Sequence, residues 1–184
     1  ELEKKILEKI IKPTLKGINN LGTKYVGFLY AGLMIIKNEP FLIEYNVRMG
    51  DPECQTILPK LKTDLLEIIK ACCDKKLDSI NIEWSNKKSL CVVLCSRGYP
   101  DIYQKNILIN NLENFIPVEN NFIFHAGTKK ENGKIYSNGG RVLNFISLSD
   151  DFIKARNEVH KCIEILDWKH GYYRGDIGFK VIDE

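Results

Sequence analysis

Apolar and polar positions in the first part of the chain change from helical to strand spacing. Ile6 and Ile10 lie on one side of a stretch otherwise rich in Lys and Glu, which predicts an amphipathic helix over residues 2–20. The apolar run YVGFLYAGLMII predicts a strand over residues 25–36, and a second strand returns over residues 41–47 after the turn KNEP. We expect an antiparallel hairpin with a connection of three to five residues.

Two helices are predicted after this hairpin. In the segment GDPECQT, Asp51 is a candidate N-cap with Pro52 at the first helical position, and a nearby second proline predicts that this helix is short. A longer amphipathic helix follows and extends to about Cys73. Its predicted cap is Thr63 or Asp64.

Short strand-like runs dominate the chain after about residue 80. They read NIEW, SLCVVLCS, NFIFHAGTKK, KIYSNGG and RVLNFISLS. The Asn-Gly pair within residues 131–134 predicts a hairpin with a type I′ turn. One helix is predicted over residues 150–166, capped by Ser149 or Asp150, and the tail YYRGDIGFKVI predicts a turn and a last strand.

These elements predict an α+β protein with two domains. Residues 1–77 would form an antiparallel sheet with helices, and residues 78–184 a small β-rich domain covered by one helix.

Composition narrows the class of protein. The 184 residues are 44% hydrophobic, and 27 basic against 24 acidic residues give a net charge of +3, which is too even to predict a nucleic-acid partner. No apolar run is long enough to predict a membrane span. The six cysteines contain no C-x-x-C pair, which favours free thiols in a reducing cytoplasm over a structural zinc site.

The stretch FLIEYNVRMGDPECQ at residues 41–55 carries the candidate chemistry. Glu44, Asn46 and Arg48 occupy alternate positions of the predicted strand, so their side chains would share one face. A carboxylate beside an amide oxygen suits Mg²⁺, and the planar fork of an arginine suits a phosphate. A solvated strand face with a Glu–Arg pair is the alternative, but the Gly-Asp-Pro-Glu turn that follows favours a site.

Long motifs throughout the chain resemble those of one enzyme family. LYAGLMI, IEYNVRMGDPECQ and LPKLKTDLLEI resemble the second half of the ATP-grasp domain of the phosphoribosylamine–glycine ligases, also called glycinamide ribonucleotide synthetases. VVLCSRGYP, FHAGTKKENGKIYSNGGRVL and YYRGDIGFK resemble the C-terminal domain of the same family, in the same order. The resemblance covers essentially the whole chain.

The resemblance implies a reaction in purine synthesis. ATP, glycine and 5-phosphoribosylamine would give ADP, phosphate and glycinamide ribonucleotide through a glycyl phosphate intermediate. By the same resemblance, Glu44 and Asn46 fall where ATP-grasp enzymes bind Mg²⁺ or Mn²⁺, and Arg48 falls where an arginine steadies the transferred phosphoryl group. ATP would be a co-substrate, and the enzyme would be a cytoplasmic monomer.

Three further residues are candidates for substrate binding. By the family resemblance, Asp51 and Glu53 would orient an amine, either that of glycine or that of the ribosylamine. Arg141, in the motif SNGGRVL, resembles a family position and is a candidate for binding the substrate phosphate. The alternative is that the Gly-Gly pair before it only forms a hairpin turn. In the tail, Arg174 and Asp176 are predicted to pair, and His125 is predicted to be an interior histidine.

The sequence departs from the wider superfamily in ways that bear on activity. Many ATP-grasp proteins carry another acidic metal ligand about a dozen residues before the glutamate, where this chain has Ala31 or Gly32. The residues that bind adenine, the phosphate lysines and the N-terminal substrate domain are not in these 184 residues, so we expect no ligase activity from this chain alone. The alternatives are another ATP-grasp carboxylate–amine ligase or carboxylase, or a non-catalytic module that keeps the fold.

Overall fold

A computed structural model describes residues 1–115 and 119–182, which form two compact units. The first unit comprises Glu1–Asp51 with Lys62–Glu83, and the second comprises Pro52–Leu61 with Trp84–Glu184. The domain boundary predicted after residue 77 stays a prediction. The segment 52–61 is grouped with the second unit, although it precedes that boundary in the chain.

The first unit begins with the predicted helix, in three consecutive pieces. Helix α1 spans Leu2–Ile6, a π-helical turn spans Leu7–Ile11, and helix α2 spans Lys12–Asn20. The π-helical turn ends just before Pro13, which lies in the first turn of α2. Because proline has no N–H to donate, the change of helix type coincides with the missing backbone hydrogen bond.

The predicted hairpin is present with a tighter turn. Strand β1 spans Tyr30–Ile36 and pairs antiparallel with strand β2, Glu39–Asn46. The prediction of a connection of three to five residues is wrong, because only Lys37 and Asn38 separate the strands, with φ of 49° and 62°. Positive φ at both central residues matches the right-handed twist of the strands, so pairing continues up to the turn.

The strand β1 also starts later than the sequence predicted. Residues 25–29 lie outside it, and the Tyr25 hydroxyl donates a hydrogen bond to the carbonyl of Phe28, which closes a local loop. Within that loop Gly27 has φ of 141°, a conformation that ends regular strand geometry.

Helices α1 and α2 are fastened to the hairpin by polar contacts. Lys5 Nζ and Lys9 Nζ lie 2.6 Å and 2.5 Å from the carboxylate oxygens of Glu39. The Tyr45 hydroxyl lies 2.5 Å from Thr14 Oγ1. The hydrogen bonds from the two lysines lower the pKa of Glu39 to about 2.

This pKa predicts how the first unit responds to acid. A carboxylate with a depressed pKa contributes stability above its ordinary value of 4.5 and loses that contribution as pH falls toward about 2. We therefore expect the urea midpoint of the chain to fall more steeply between pH 4.5 and pH 2 than that of the Glu39→Gln variant. If the urea midpoints of the two proteins changed with pH in parallel, the ion pairs would contribute nothing to the stability of the chain in solution, as is common for exposed pairs.

Helices α3 and α4 follow the hairpin. Helix α3 spans Glu53–Ile57 and continues as a 3-10 turn, Leu58–Lys60, so the prediction of a short helix is confirmed. Helix α4 spans Leu65–Cys73 and is capped by Asp64, whose carboxylate accepts hydrogen bonds from the backbone of residues 66 and 67 at 2.7 Å and 3.2 Å. The prediction that Asp51 caps α3 is wrong, because Pro52 occupies that position and no side chain caps the helix.

The second unit is built on a four-stranded antiparallel sheet. Its strands are β3 (Lys88–Ser96), β4 (Asn121–His125), β7 (Arg141–Ser149) and β8 (Gly171–Tyr172), in the spatial order β4-β7-β3-β8. Strands β5 (Thr128–Glu131) and β6 (Lys134–Ser137) form a separate hairpin. The predicted type I′ turn is confirmed, since Asn132 and Gly133 have φ of 50° and 78°.

Helix α5, Phe152–Leu166, packs against this sheet to form the core. Alternate residues of β3 and the apolar face of α5 supply most of its buried side chains, among them Leu90, Val92, Leu94, Val159 and Leu166. The predicted cap at Ser149 or Asp150 is wrong, because β7 continues through Ser149 and Asp151 accepts the hydrogen bond from Lys154 N at 2.7 Å.

The tail differs from its predicted form. In the described residues it contains a 3-10 turn at Phe179–Val181, and the last strand, β8, lies before it. No helix of the described residues is long and apolar enough to cross a bilayer. Cys54, Cys72, Cys73 and Cys162 are free thiols, as predicted. The mixed α and β architecture with antiparallel sheets also agrees with the prediction.

Candidate functional site

Two polar side chains lie together on one face of the hairpin. Asn46 Nδ2 donates a hydrogen bond to Glu44 Oε1 at 3.2 Å, so the prediction that these two side chains project together is confirmed. Tyr45, between them, points to the opposite face, where its hydroxyl contacts α2. Glu44 is exposed and Asn46 is half-buried, which leaves the pair accessible from solvent.

A β-bulge precedes this pair. Glu44 pairs with Gly32 and Leu42 pairs with Leu33, so Ile43 is an extra residue without a partner in the ladder. Such a bulge bends a strand and changes where the following side chains point. Because Glu44 and Asn46 both follow the bulge, they keep the spacing of two residues that places them on one face.

Arg48 lies beyond the end of this strand. Strand β2 ends at Asn46, and Arg48 lies in the bend that follows. One guanidinium nitrogen, Nη1, donates to the carbonyl of Met49 at 2.9 Å. Strand alternation therefore places only Glu44 and Asn46, because the strand ends two residues before Arg48, and the projection of Arg48 with them stays a prediction.

The two carboxylates of the Gly-Asp-Pro-Glu turn fall in different units. Asp51 is exposed, lies in a turn and is the last residue of this segment of the first unit. Glu53 is half-buried and begins helix α3 in the second unit. A carboxylate in the first turn of a helix is favoured by the helix dipole, which gives Glu53 a structural role independent of any substrate.

Arg141 begins strand β7 at a close crossing of two backbone segments. Gly127 N donates to the Arg141 carbonyl at 2.8 Å, and Asn138 N donates to the Gly127 carbonyl at 2.7 Å. A Cβ on Gly127 would lie 2.6 Å from both the Arg141 oxygen and Gly139 Cα. Gly127 and Gly139 thus permit close backbone contact, and this contact holds the main chain from which the exposed Arg141 side chain extends.

His125 is not the interior histidine that the sequence predicted. It ends strand β4, is exposed, and its Nδ1 lies 2.9 Å from Thr128 Oγ1. The apolar run before it predicted burial, but β4 is an edge strand of the sheet and its last residues face solvent.

The predicted pair in the tail is confirmed. Arg174 donates two hydrogen bonds to the carboxylate of Asp176, at 2.9 Å and 2.6 Å. These bonds lower the pKa of Asp176 and raise that of Arg174. A contact that the sequence analysis missed ties the same turn to α5, because Arg156 Nη2 donates to the Gly175 carbonyl at 2.6 Å.

The Glu44–Asn46 pair fits a magnesium ion in its chemistry. A carboxylate and an amide each offer a hard oxygen, and a half-turn of the Asn46 amide would present Oδ1 beside Glu44. Residues 1–115 and 119–182 contain no group of three or more His, Cys, Asp or Glu side chains arranged to hold a metal. Two protein oxygens would leave most of an octahedral shell for phosphate oxygens and water.

Two family models match successive parts of the chain. Residues 1–54 match the family described as "Phosphoribosylglycinamide synthetase, ATP-grasp (A) domain". Residues 89–180 match "Phosphoribosylglycinamide synthetase, C domain". The pair on β2 lies inside the first match, and Arg141 lies inside the second.

Curated relatives cover nearly the whole chain. It is 45% identical over 178 residues to the phosphoribosylamine–glycine ligase of Fusobacterium nucleatum, covering 96% of this chain and 42% of that protein. It is 40% identical over 186 residues to the chloroplastic phosphoribosylamine–glycine ligase of Arabidopsis thaliana, covering 99% of this chain and 35% of that protein. The chain thus spans less than half the length of these relatives.

A solved structure shows the same fold. The crystal structure of a phosphoribosylamine–glycine ligase from Thermotoga maritima matches with a TM-score of 0.82 and 34% sequence identity. The match covers 95% of this chain and 42% of that structure.

Proposed function

Because this chain belongs to the phosphoribosylglycinamide synthetase family, we propose that it is part of an ATP-dependent ligase that joins glycine to 5-phosphoribosylamine. The product would be glycinamide ribonucleotide, an intermediate of purine synthesis. The chain contributes part of the A domain and the C domain of this enzyme, and the segments that complete the nucleotide site belong to the rest of the protein.

The reaction proceeds in two displacements. The carboxylate of glycine attacks the γ-phosphorus of ATP, which forms glycyl phosphate and releases ADP. The amine of phosphoribosylamine then attacks the acyl carbon, the bond to the phosphate oxygen breaks, and a proton leaves the new amide nitrogen. Both steps leave negative charge on the oxygen of a departing phosphate group, that of ADP in the first and of inorganic phosphate in the second, so catalysis depends on groups that are placed to stabilise that charge.

Glu44 and Asn46 are proposed to hold the Mg²⁺ or Mn²⁺ ion that accompanies ATP. When bound, such an ion neutralises charge on the phosphates during transfer. The observation that carries the proposal is that these two side chains lie 3.2 Å apart on an open strand face within the A-domain match.

The remaining residues are assigned by their chemistry. Arg48 would use the guanidinium nitrogens other than Nη1 to steady the transferred phosphoryl group. Asp51 and Glu53 would orient an amine, and Arg141, on its fixed backbone, would bind the phosphate of the ribosylamine. We also propose that the enzyme is a cytoplasmic monomer, although the Arabidopsis relative is named as chloroplastic.

Substrate dependence of ADP release tests this function in the full-length protein. We expect ADP release that requires both glycine and phosphoribosylamine, and none from the 184-residue chain alone. Release that depends on bicarbonate would instead identify a carboxylase of the same superfamily. If calorimetry showed that the full-length protein does not bind Mg-ATP, the chain would belong to a non-catalytic module.

A further inference from the structure

Gly32 lies directly opposite Glu44 in the hairpin. The two residues are partners in the β1–β2 ladder, next to the bulge. A Cβ at position 32 would lie 3.1 Å from Glu44 Cγ and 3.6 Å from the Glu44 carbonyl oxygen. The first of these separations is tighter than an ordinary carbon–carbon contact, so Glu44 would have to move if position 32 carried a side chain.

The backbone at Gly32 does not require glycine. It is absent from the residues with positive φ in the described part of the chain, so an L-residue could adopt its conformation. Glycine inside a strand is less stable than alanine by about 0.5–1 kcal/mol, because it loses more freedom on folding and packs no side chain. Glycine at this position is therefore best explained by the space that it leaves.

We propose that Gly32 is a positioning residue for Glu44, and that its missing side chain sets the place of the metal-binding carboxylate. This inference rests on the proposed function. The contact would fall on Cγ, close to the backbone, so a small shift there is carried to the carboxylate oxygens further out. Metal and catalytic groups must be held to within about 0.5 Å, so such a shift is enough to weaken the site.

The same geometry disfavours a second carboxylate at position 32. An aspartate there would add a hard oxygen, but its Cβ would displace Glu44 and its charge would repel the neighbouring carboxylate. Two models therefore predict opposite effects of Gly32→Asp. If position 32 were only an empty ligand position, the variant would bind metal more tightly, whereas the positioning model predicts weaker binding.

The test measures Mn²⁺ binding by the full-length protein in the presence of ADP, using the electron paramagnetic resonance signal of free Mn²⁺. We expect Gly32→Ala to weaken nucleotide-dependent binding about tenfold, as changes behind a metal ligand commonly do, and Gly32→Asp to weaken it further. The thermal midpoint of Gly32→Ala should equal or exceed that of the wild type. Gly17→Ala is the matched control, since a Cβ there would meet nothing within 4 Å beyond its chain neighbours and the backbone of its own helix.

Each outcome decides between the models. Wild-type affinity in Gly32→Ala, tighter binding in Gly32→Asp, or a lowered thermal midpoint in Gly32→Ala would each overturn the positioning role. If the wild-type protein bound no Mn²⁺ with ADP, the proposed function itself would fail, and the inference with it. Steady-state kinetics also distinguish a positioning role from an empty ligand position. The positioning model predicts that Gly32→Ala raises the KM for ATP and leaves the KM for glycine unchanged.

Discussion

Replacing Glu44 by alanine in the full-length protein should reduce kcat/KM for ATP by about a thousandfold, which corresponds to about 4 kcal/mol of lost transition-state stabilisation. The carboxylate is the only charged member of the Glu44–Asn46 pair, so its removal leaves the proposed ion with one neutral protein oxygen. The fold should survive, because Glu44 is exposed and its carboxylate accepts a hydrogen bond from the neighbouring side chain of Asn46.

Steady-state kinetics at saturating glycine and phosphoribosylamine measure this effect. Glu67→Ala provides the control, since Glu67 is an exposed carboxylate of the same unit on helix α4. That variant should keep wild-type kinetics. Near-normal turnover in Glu44→Ala would rule out Glu44 as a metal ligand. Equal decreases of kcat/KM for ATP in both variants would indicate a general effect of the lost negative charge.

The second large effect is expected at the backbone crossing beside Arg141. In Gly127→Ala, the new Cβ would lie 2.6 Å from two backbone atoms, the Arg141 oxygen and Gly139 Cα. Backbone atoms in a paired segment cannot rotate away, so the crossing must open and its hydrogen bonds at 2.8 Å and 2.7 Å must weaken. We expect the free energy of unfolding of the second unit to fall by about 3 kcal/mol or more.

Urea denaturation followed by tryptophan fluorescence measures this loss, because Trp84 and Trp168 both lie in the second unit. Gly175→Ala is the matched control, since no atom lies within 4 Å of a Cβ there and its φ is not positive. The control should change stability by less than about 0.5 kcal/mol. A wild-type midpoint in Gly127→Ala would show that the two segments do not cross closely in solution.

Local signals made part of this fold predictable. The Asn132–Gly133 turn was predicted because that dipeptide alone favours a type I′ conformation. The turn at Lys37 and Asn38 has the same geometry, but lysine at positive φ gives no such signal. Its conformation follows from strand pairing, which the sequence of the turn does not encode.

The candidate site was predictable only where it depends on strand alternation. The Glu44–Asn46 pair follows from a spacing of two residues. Arg48 has the same spacing, but the strand ends before it, so alternation does not place its side chain, and strand ends depend on the partner strand. The proximity of Gly32 to Glu44 depends on the hairpin register, which the turn length and the bulge at Ile43 both change.

Contacts between distant residues had no signal in the sequence. Glu39 is paired with Lys5 and Lys9, which lie 34 and 30 residues away in the chain, and charged residues are too common here to predict which ones meet. In the second unit, Gly127 meets Arg141 because the antiparallel pairing of β4 with β7 continues past His125, and the β5–β6 hairpin lies between the two residues in the chain.

Anomalous scattering from Mn²⁺ in crystals of the full-length protein with ADP tests the metal site most directly. Side chains of Glu44 and Asn46 should each place one oxygen about 2.1 Å from an anomalous peak, with phosphate oxygens on its other sides. A peak bound only by other residues, with Glu44 and Asn46 turned away from it, would contradict the account.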